Sequence, residues 1–230
     1  MKSKLRGTKL GRGSPLSDQI YILLRKLIVT GQIQPGKTID EKAFAAKLGT
    51  SRTPVREAIK KLSDEHLVIV AAQSGTRAAK IDFNEVEQAF IIRRALEMES
   101  AASAASKIRQ VDIDALRAIL AGHARAIKCK NYAEAIANDD QFHARIAEIS
   151  NMPRLWRTIE ISKAHLDRCR HMMLPRPGEA AATLEQHKAI IHALSSKDPN
   201  KARAAMAQHL ENAYANTRQV LETEPAASSA

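Results

Sequence analysis

The chain is poor in rings. Of 230 residues only four are Phe, three Tyr and one Trp, while Ala is abundant. That balance describes a mostly helical protein packed on small side chains, not a β-rich one. Cysteine is scarcer still: Cys129 and Cys169 stand far apart and match no metal-ligand spacing. A disulfide-stapled scaffold and a cysteine-rich zinc module are thereby excluded, and a reduced, cytoplasmic chain is the simple reading. Long apolar runs are missing too. The most apolar early stretch, Ile20 to Val29, is broken by Arg25 and Lys26 and is too short to span a bilayer. Met1 to Gly13 is basic without an apolar core, so it is no signal peptide. A soluble protein without a membrane partner is expected.

Acidic residues are scarce only in the first third. Residues 1–80 carry 16 Lys/Arg against 6 Asp/Glu, whereas residues 81–230 carry 20 against 19, so nearly all of the net +11 lies at the front. A polyanion is the natural partner of that part. The length suits two compact domains.

Within the basic part, Gly49 to Leu62 organises the rest. Val55, Ala58, Ile59 and Leu62 recur at helical spacing. Thr50 or Ser51 can cap the start, and Pro54 falls in the first turn, where a missing N–H matters little. Ser51, Arg52, Thr53, Arg56 and Lys60 occupy the opposite face, with no acid on that line before Asp64. Such a helix suits a DNA major groove, where guanidinium groups fork onto guanine and hydroxyls hold phosphate. Upstream, Asp40 caps a short helix that Gly49 stops. Downstream, Leu67–Ala72 and Thr76–Ile81 read as two strands around a Gln73–Ser74–Gly75 turn. Helix, turn, helix and hairpin make a winged helix-turn-helix.

From Leu16 to about Thr76 the order of residues resembles the GntR family of bacterial transcription regulators. The resemblance rests on Gly31–Gln32–Ile33–Gln34–Pro35–Gly36, then Ile39, Glu41, Ala45, Leu48–Gly49 and Ser51 through Ala58. Two departures stand out: His66 where the family usually has Gly, and Ala78–Ala79 in place of a bulkier wing residue. A first helix from Ser14–Pro15 to about Thr30 would brace the reading helix through Ile20, Leu23, Leu24, Leu27 and Ile28. Lys42, Arg52 and Arg56 are expected to carry DNA contacts, Ser51 and Thr53 to support them, and Gly75 to let the wing approach the minor groove. The predicted DNA-binding domain is 14–80, with residues 1–13, including Lys2, Lys4, Arg6, Lys9 and Arg12, as a disordered basic arm.

After a short connector, Ile81–Asn84, the pattern is helical throughout. Helices are predicted over about 84–107, 112–128 (capped by Asp112), 132–150, 153–174, 183–196 and 198–222, with Pro175–Gly178 as a break and 225–230 as a disordered tail. The fold class is therefore mainly α: a winged helix-turn-helix followed, over 84–222, by an antiparallel helical bundle.

Four polar residues interrupt the apolar stripes of that bundle. One line runs Ile136, Asp139, His143, Ile146; another Leu184, His187, Ile191, Leu194; a third Ala202, Met206, His209, Ala213. Asp139 and His143 are four apart and project together. A buried carboxylate needs a cationic partner, and three imidazoles with one carboxylate converging in a bundle make a divalent-metal site. Asp140 could replace Asp139, but only Asp139 has the four-residue spacing. His123 sits on the Leu116–Leu120–Ile127 stripe and reads as a packed core residue, His165 could line a pocket, and His66, His171 and His192 read as surface groups. Zn, Ni, Mn and Fe all suit such ligands, with zinc the default.

Residues 84–222 also resemble the helical effector (FCD) domain of the FadR-type branch of GntR regulators. The motifs are Arg93–Glu97, Asp139–His143 with Asn151 after it, Glu185–His187 and Met206–Leu210. The resemblance implies that Asp139, His143, His187 and His209 hold a metal whose open positions take a small carboxylate effector. It also places Arg93 near that effector as a bidentate clamp. Pairing of Arg93 with Glu97, four residues on, is an equal reading. The expected protein is a homodimeric repressor on a near-palindromic operator, controlled by the carboxylate, and not an enzyme, since no further base follows the ligands at an enzymatic spacing. A metal-responsive regulator or an architectural DNA binder with a structural ion is the alternative, and a metalloenzyme fused to a DNA reader a weaker one.

Overall fold

The computed structural model describes residues 13–72, 75–174, 176 and 179–223. The basic arm, Gln73 and Ser74 of the wing turn, Pro175, Pro177, Gly178 and the tail at 225–230 lie outside the described residues. The described chain forms ten helices and one two-stranded hairpin, grouped in two compact units that meet between Asp82 and Phe83.

In the first unit, α1 (Leu16–Val29) packs on α3 (Arg52–Asp64), with α2 (Glu41–Leu48) between them in sequence. Ile20, Leu24 and Ile28 bury against the stripe Val55, Ala58, Ile59 and Leu62. Each of the larger side chains in that seam stabilises the unit by roughly 1.5–3 kcal/mol. The Asp40 carboxylate accepts the Ala43 N–H at 2.9 Å and starts α2, and Gly49 ends it in the left-handed region at φ 65°. Ser51 does occupy the N-cap position of α3, but no side-chain hydrogen bond caps that helix; its start is set by chain direction alone.

The hairpin pairs β1 (Val68–Ala71) with β2 (Gly75–Ala78), Val68 opposite Ala78 and Ala71 opposite Gly75. Both strands are shorter than the sequence suggests. They gain an unforeseen third edge instead: Gly36 donates to the Ala78 carbonyl, Ile39 to that of Thr76, and the Ala78 N–H to Lys37. The wing is thereby tied to the turn before α2.

His66 follows α3 with φ 56°. An L side chain in that region costs about 1 kcal/mol relative to glycine. The missing glycine at this position therefore has a physical cost, and His66→Gly is expected to stabilise the first unit by up to about 1 kcal/mol, read as a higher urea midpoint. An unchanged or lower midpoint would mean that the imidazole's own interactions outweigh the strain.

The second unit comprises α4 (Phe83–Ala105), α5 (Gln110–Lys128), α6 (Tyr132–Ile149), α7 (Pro153–Ser162), α8 (Ala164–Met173), α9 (Glu179–Ser195) and α10 (Pro199–Thr223). Ala101, Ala104 and Ala105 let α4 lie close along its neighbours, around a core of Leu116, Phe142, Ile146, Ile190, Leu194, Met206 and Leu210. Small residues thus do the packing that rings do elsewhere.

Four expected boundaries change. Phe83 and Asn84 belong to α4, not to the connector. Asp112 is the third residue of α5 rather than its cap: its carboxylate reaches back 3.1 Å to the Arg109 N–H. The α9 helix begins at Glu179. The helix expected over 153–174 is two helices, parted at Lys163. Lys163 is buried, with its ammonium 2.7 Å from Asp167, 3.0 Å from Asp140 and 5.8 Å from the Trp156 ring centre. Among the described residues no helix is long and apolar enough to cross a membrane.

Candidate functional site

On the first unit, Lys42, Ser51, Arg52, Thr53, Arg56 and Gly75 are all exposed, the last at φ 77° where the second wing strand begins. Arg52 and Arg56 converge on one group that the sequence pattern did not reveal. The Glu41 carboxylate lies 3.1 Å from the Arg56 Nε and 3.6 Å from the Arg52 Nη2, and it accepts the Thr76 hydroxyl at 3.0 Å. Burial works to raise the Glu41 carboxyl, but Arg56, then Thr76 and Arg52, hold it below its ordinary range. One buried-edge carboxylate therefore joins α2, α3 and the wing, and sets the direction of two guanidinium groups that are otherwise open to solvent.

In the second unit, Asp139 and His143 come from α6, His187 from α9 and His209 from α10, and all four are buried. The rings of His143, His187 and His209 stand 4.8–5.3 Å apart by centroid, and one nitrogen from each lies within 4.8 Å of the others. Asp139 Oδ1 is 3.4 Å from His187 Nε2, and Oδ2 is 3.8 Å from His143 Nε2. These are not hydrogen bonds. Both nitrogens of His187 and Nε2 of His143 lack a hydrogen-bond partner although they are buried. Orphaned imidazole nitrogens facing a carboxylate are what a metal-binding cluster looks like before a cation ties it together.

Two of the three rings, His143 and His209, have a partner on the outer side. Glu97 on α4 sits against His143 Nδ1, and Gln186 Oε1 lies 2.8 Å from His209 Nδ1. A carboxylate or amide on the far nitrogen fixes the tautomer and turns the near one inward. Glu97 in turn accepts from the Arg93 Nε at 2.5 Å. Burial raises the Glu97 carboxyl, yet Arg93 and then His143 outweigh it and bring it down to about 2. Asp139 follows the same logic: burial opposes ionisation, but Arg170 first and His143 next hold it well below the usual carboxylate range. Of the two sequence expectations for Arg93, at an effector or on Glu97, the structure shows the pairing with Glu97. Its Nε is on Glu97, while its two terminal amino groups meet no described residue and it lines a cavity of about 80 Å³. That is room for several waters or a small organic acid.

Asp139, His209, Arg170 and His123 line the same cavity. His123, read from sequence as core packing, is buried with an orphaned Nδ1 and forms a second possible donor group with Asp139 and His187. His165 is buried but is not among the described lining residues. Arg170 was missed, because the helix carrying it was drawn unbroken. Glu97 is expected from sequence only as a partner of Arg93, not of His143, and Gln186 adjoins His187 with no periodic signal of its own.

Burial drives the His187 imidazole down to about 3 and the His209 imidazole well below its ordinary value. Both rings are thus neutral when folded, as ligation requires. Between pH 6.5 and about 3 the unfolded chain binds protons that the folded chain refuses. The stability from these groups is complete above about pH 6.5 and is lost as the pH falls. The metal-free protein is expected to lose about 1.4 kcal/mol per pH unit for each such ring below that value, read by urea unfolding at pH 7, 6 and 5. A flat profile would contradict the burial of neutral rings.

A basic helix-turn-helix with a tied wing, followed in the chain by a helical bundle, is the make-up of a two-domain DNA-binding regulator. Residues 16–77 match the bacterial regulatory proteins of the gntR family and residues 88–212 match the FCD domain. The chain is 34% identical over 213 residues, 93% of each chain, to the HTH-type transcriptional repressor RspR of Escherichia coli K12. It is 28% identical over 201 residues, 85% of each, to a probable D-xylose utilization operon transcriptional repressor of Paenarthrobacter nicotinovorans. The solved structure of E. coli McbR/YncC superposes with a TM-score of 0.77 at 25% identity, covering 90% of this chain and 99% of that one. A regulator from Rhodococcus sp. RHA1 gives 0.71 at 21%, covering 88% and 97%, and shows the same fold. The chain belongs to the GntR family of transcription regulators, in the FadR-type branch whose second domain is FCD. Regulators of this family bind DNA operators.

Proposed function

We propose that this regulator is a repressor whose hold on its operator is set by a small carboxylate metabolite, bound where Asp139, His143, His187 and His209 hold a divalent metal ion. The observation that carries the reading is one cavity. Asp139, His209, Arg93 and the orphaned Nδ1 of His123 are on its wall, and the orphaned nitrogens of His143 and His187 lie beside Asp139. The residues fit such an ion: His187 and His209 are neutral, Asp139 is ionised, and Glu97 and Gln186 stand behind His143 and His209. Zinc is the default by ligand type, with Ni, Mn and Fe as rivals. The ion, when bound, supplies Lewis-acid positions for a carboxylate oxygen. Arg93 orients that carboxylate, Glu97 and Gln186 hold the rings, and the apolar walls exclude water.

At the DNA end, Arg52 and Arg56 read base edges and phosphate, with Lys42, Ser51 and Thr53 in support and Gly75 at the wing tip. A homodimer on a near-palindromic operator, acting in the cytoplasm, places two reading helices one helical turn apart. RspR and the xylose-operon relative are both named repressors, which supports the sign of regulation.

The test is operator binding by fluorescence anisotropy with zinc-loaded and chelator-stripped protein, each with and without a panel of organic acids. An active acid is expected to shift operator affinity about 5- to 150-fold, and only in the zinc-loaded protein. A response to metal alone would favour a metal sensor, and no response to either would leave an architectural binder.

A further inference from the structure

His123 has no part in the four-residue ligand set, yet it is built into the same place. It is 1% exposed, lines the cavity, and its Nδ1 has no hydrogen-bond partner. Buried polar groups that serve packing alone are ordinarily hydrogen-bonded. The ring centre stands 5.6 Å from that of His187, tilted by 49°.

The two helices are shaped to bring it there. Gly122 and Asn138 each precede one of the donors, and a Cβ at Gly122 would stand 2.7 Å from the Asn138 Oδ1. Asn138 is not free to swing aside, because its Nδ2 donates to the Glu134 carbonyl at 2.8 Å. Glycine is a poor helix former, and α5 carries this one in its interior. Its missing side chain lets α5 lie against α6 at the level that sets His123 beside Asp139.

Among the described residues, two groups of three side chains bring donor atoms, one from each residue, within 4.8 Å of one another. They are His143, His187 and His209, and His123, Asp139 and His187. His187 belongs to both, and Asp139 falls with His123. The Asp139 Oδ2 is taken by the Arg170 Nη2 at 2.5 Å, while Oδ1 faces the His187 Nε2 at 3.4 Å. Two imidazoles and one carboxylate are a sufficient set for a divalent ion and leave coordination positions open. An imidazole that gives the lone pair of one nitrogen keeps its proton on the other, so His187 serves one ion at a time.

Resting on the metal reading above, we infer that His123, Asp139 and His187 form a second seat for the divalent ion, overlapping the first and exclusive of it. The chain binds one ion and offers it two positions. His123 and Asp139 both line the cavity, so the second seat is reachable from it.

The test uses the full chain, stripped of metal and reloaded with zinc, with affinity read by competition against a chromophoric chelator and content by elemental analysis. His143→Ala/His209→Ala leaves only the second seat complete. This variant should still bind one zinc per chain, more weakly than the unaltered protein, and anomalous diffraction at the zinc edge should place the ion on His123. Adding His123→Phe, which keeps a ring but no donor, should weaken zinc by about tenfold or more. If circular dichroism shows the alanine pair unfolded, His143→Gln/His209→Gln serves the same comparison. No zinc in the folded pair variant, or an affinity that His123→Phe leaves unmoved, overturns the second seat while the first stands. An unaltered chain that binds no zinc refutes the underlying metal reading, and the second seat with it.

Discussion

Arg52→Ala is expected to weaken operator binding by about 2–6 kcal/mol, or roughly 30-fold to more than a thousandfold, while zinc content stays the same. A bidentate guanidinium contact to a base is worth about 1–3 kcal/mol, and a two-fold complex loses it twice. Arg52 opens the reading helix at its first position with its side chain 54% exposed. Its ion pair with Glu41, at 3.6 Å, is a solvent-exposed one, so the fold is expected to respond little. Anisotropy titrations on the operator and on a scrambled duplex separate the two effects. Loss on the operator alone identifies base reading. Equal loss on both makes Arg52 a phosphate contact, and retained sequence-specific binding would refute the assignment of α3 as the reader.

The second large effect is expected at the metal. His187→Ala removes a donor that has no other partner, and the zinc content of the purified protein should fall from one ion per chain to a small fraction. Glu97→Gln keeps the shape but takes the charge from behind His143, and should weaken metal binding by about 10- to 100-fold. Its stability cost is separate: Arg93 is left buried without its carboxylate, a loss of about 3–5 kcal/mol when one partner of a buried pair goes. Competition against a chromophoric chelator gives the affinity, and urea unfolding of the metal-free chain gives the stability. Full zinc occupancy in His187→Ala would show that the imidazole is only packed. A normal affinity in Glu97→Gln would show that His143 needs no orienting carboxylate.

The two halves of the molecule were legible in sequence to different depths. The first unit could be read nearly helix by helix, because its signals are local: a capping Asp40, a left-handed Gly49, a four-residue apolar period. What escaped was the edge that 36–39 adds to the wing, a pairing between segments that no local pattern encodes. In the bundle, the polar breaks in apolar stripes pointed to Asp139, His143, His187 and His209, and the structure brings those four together. The supporting cast was hidden for a plain reason. Arg170 and Lys163 sit on a stretch with good helical period throughout, and their pairing with Asp140 of α6 is a contact between helices that no local pattern encodes. His123 looked like packing because nothing acidic is near it in the chain; in space Asp139 is.

Glu41 has a consequence for DNA binding. Two guanidinium groups that already share a carboxylate are not loose positive charge: any stretch of duplex must offer them something better than what they hold. A phosphate oxygen or a base edge that engages either guanidinium has to share it with Glu41 or displace that carboxylate, so the exchange subtracts from the gain of every such contact.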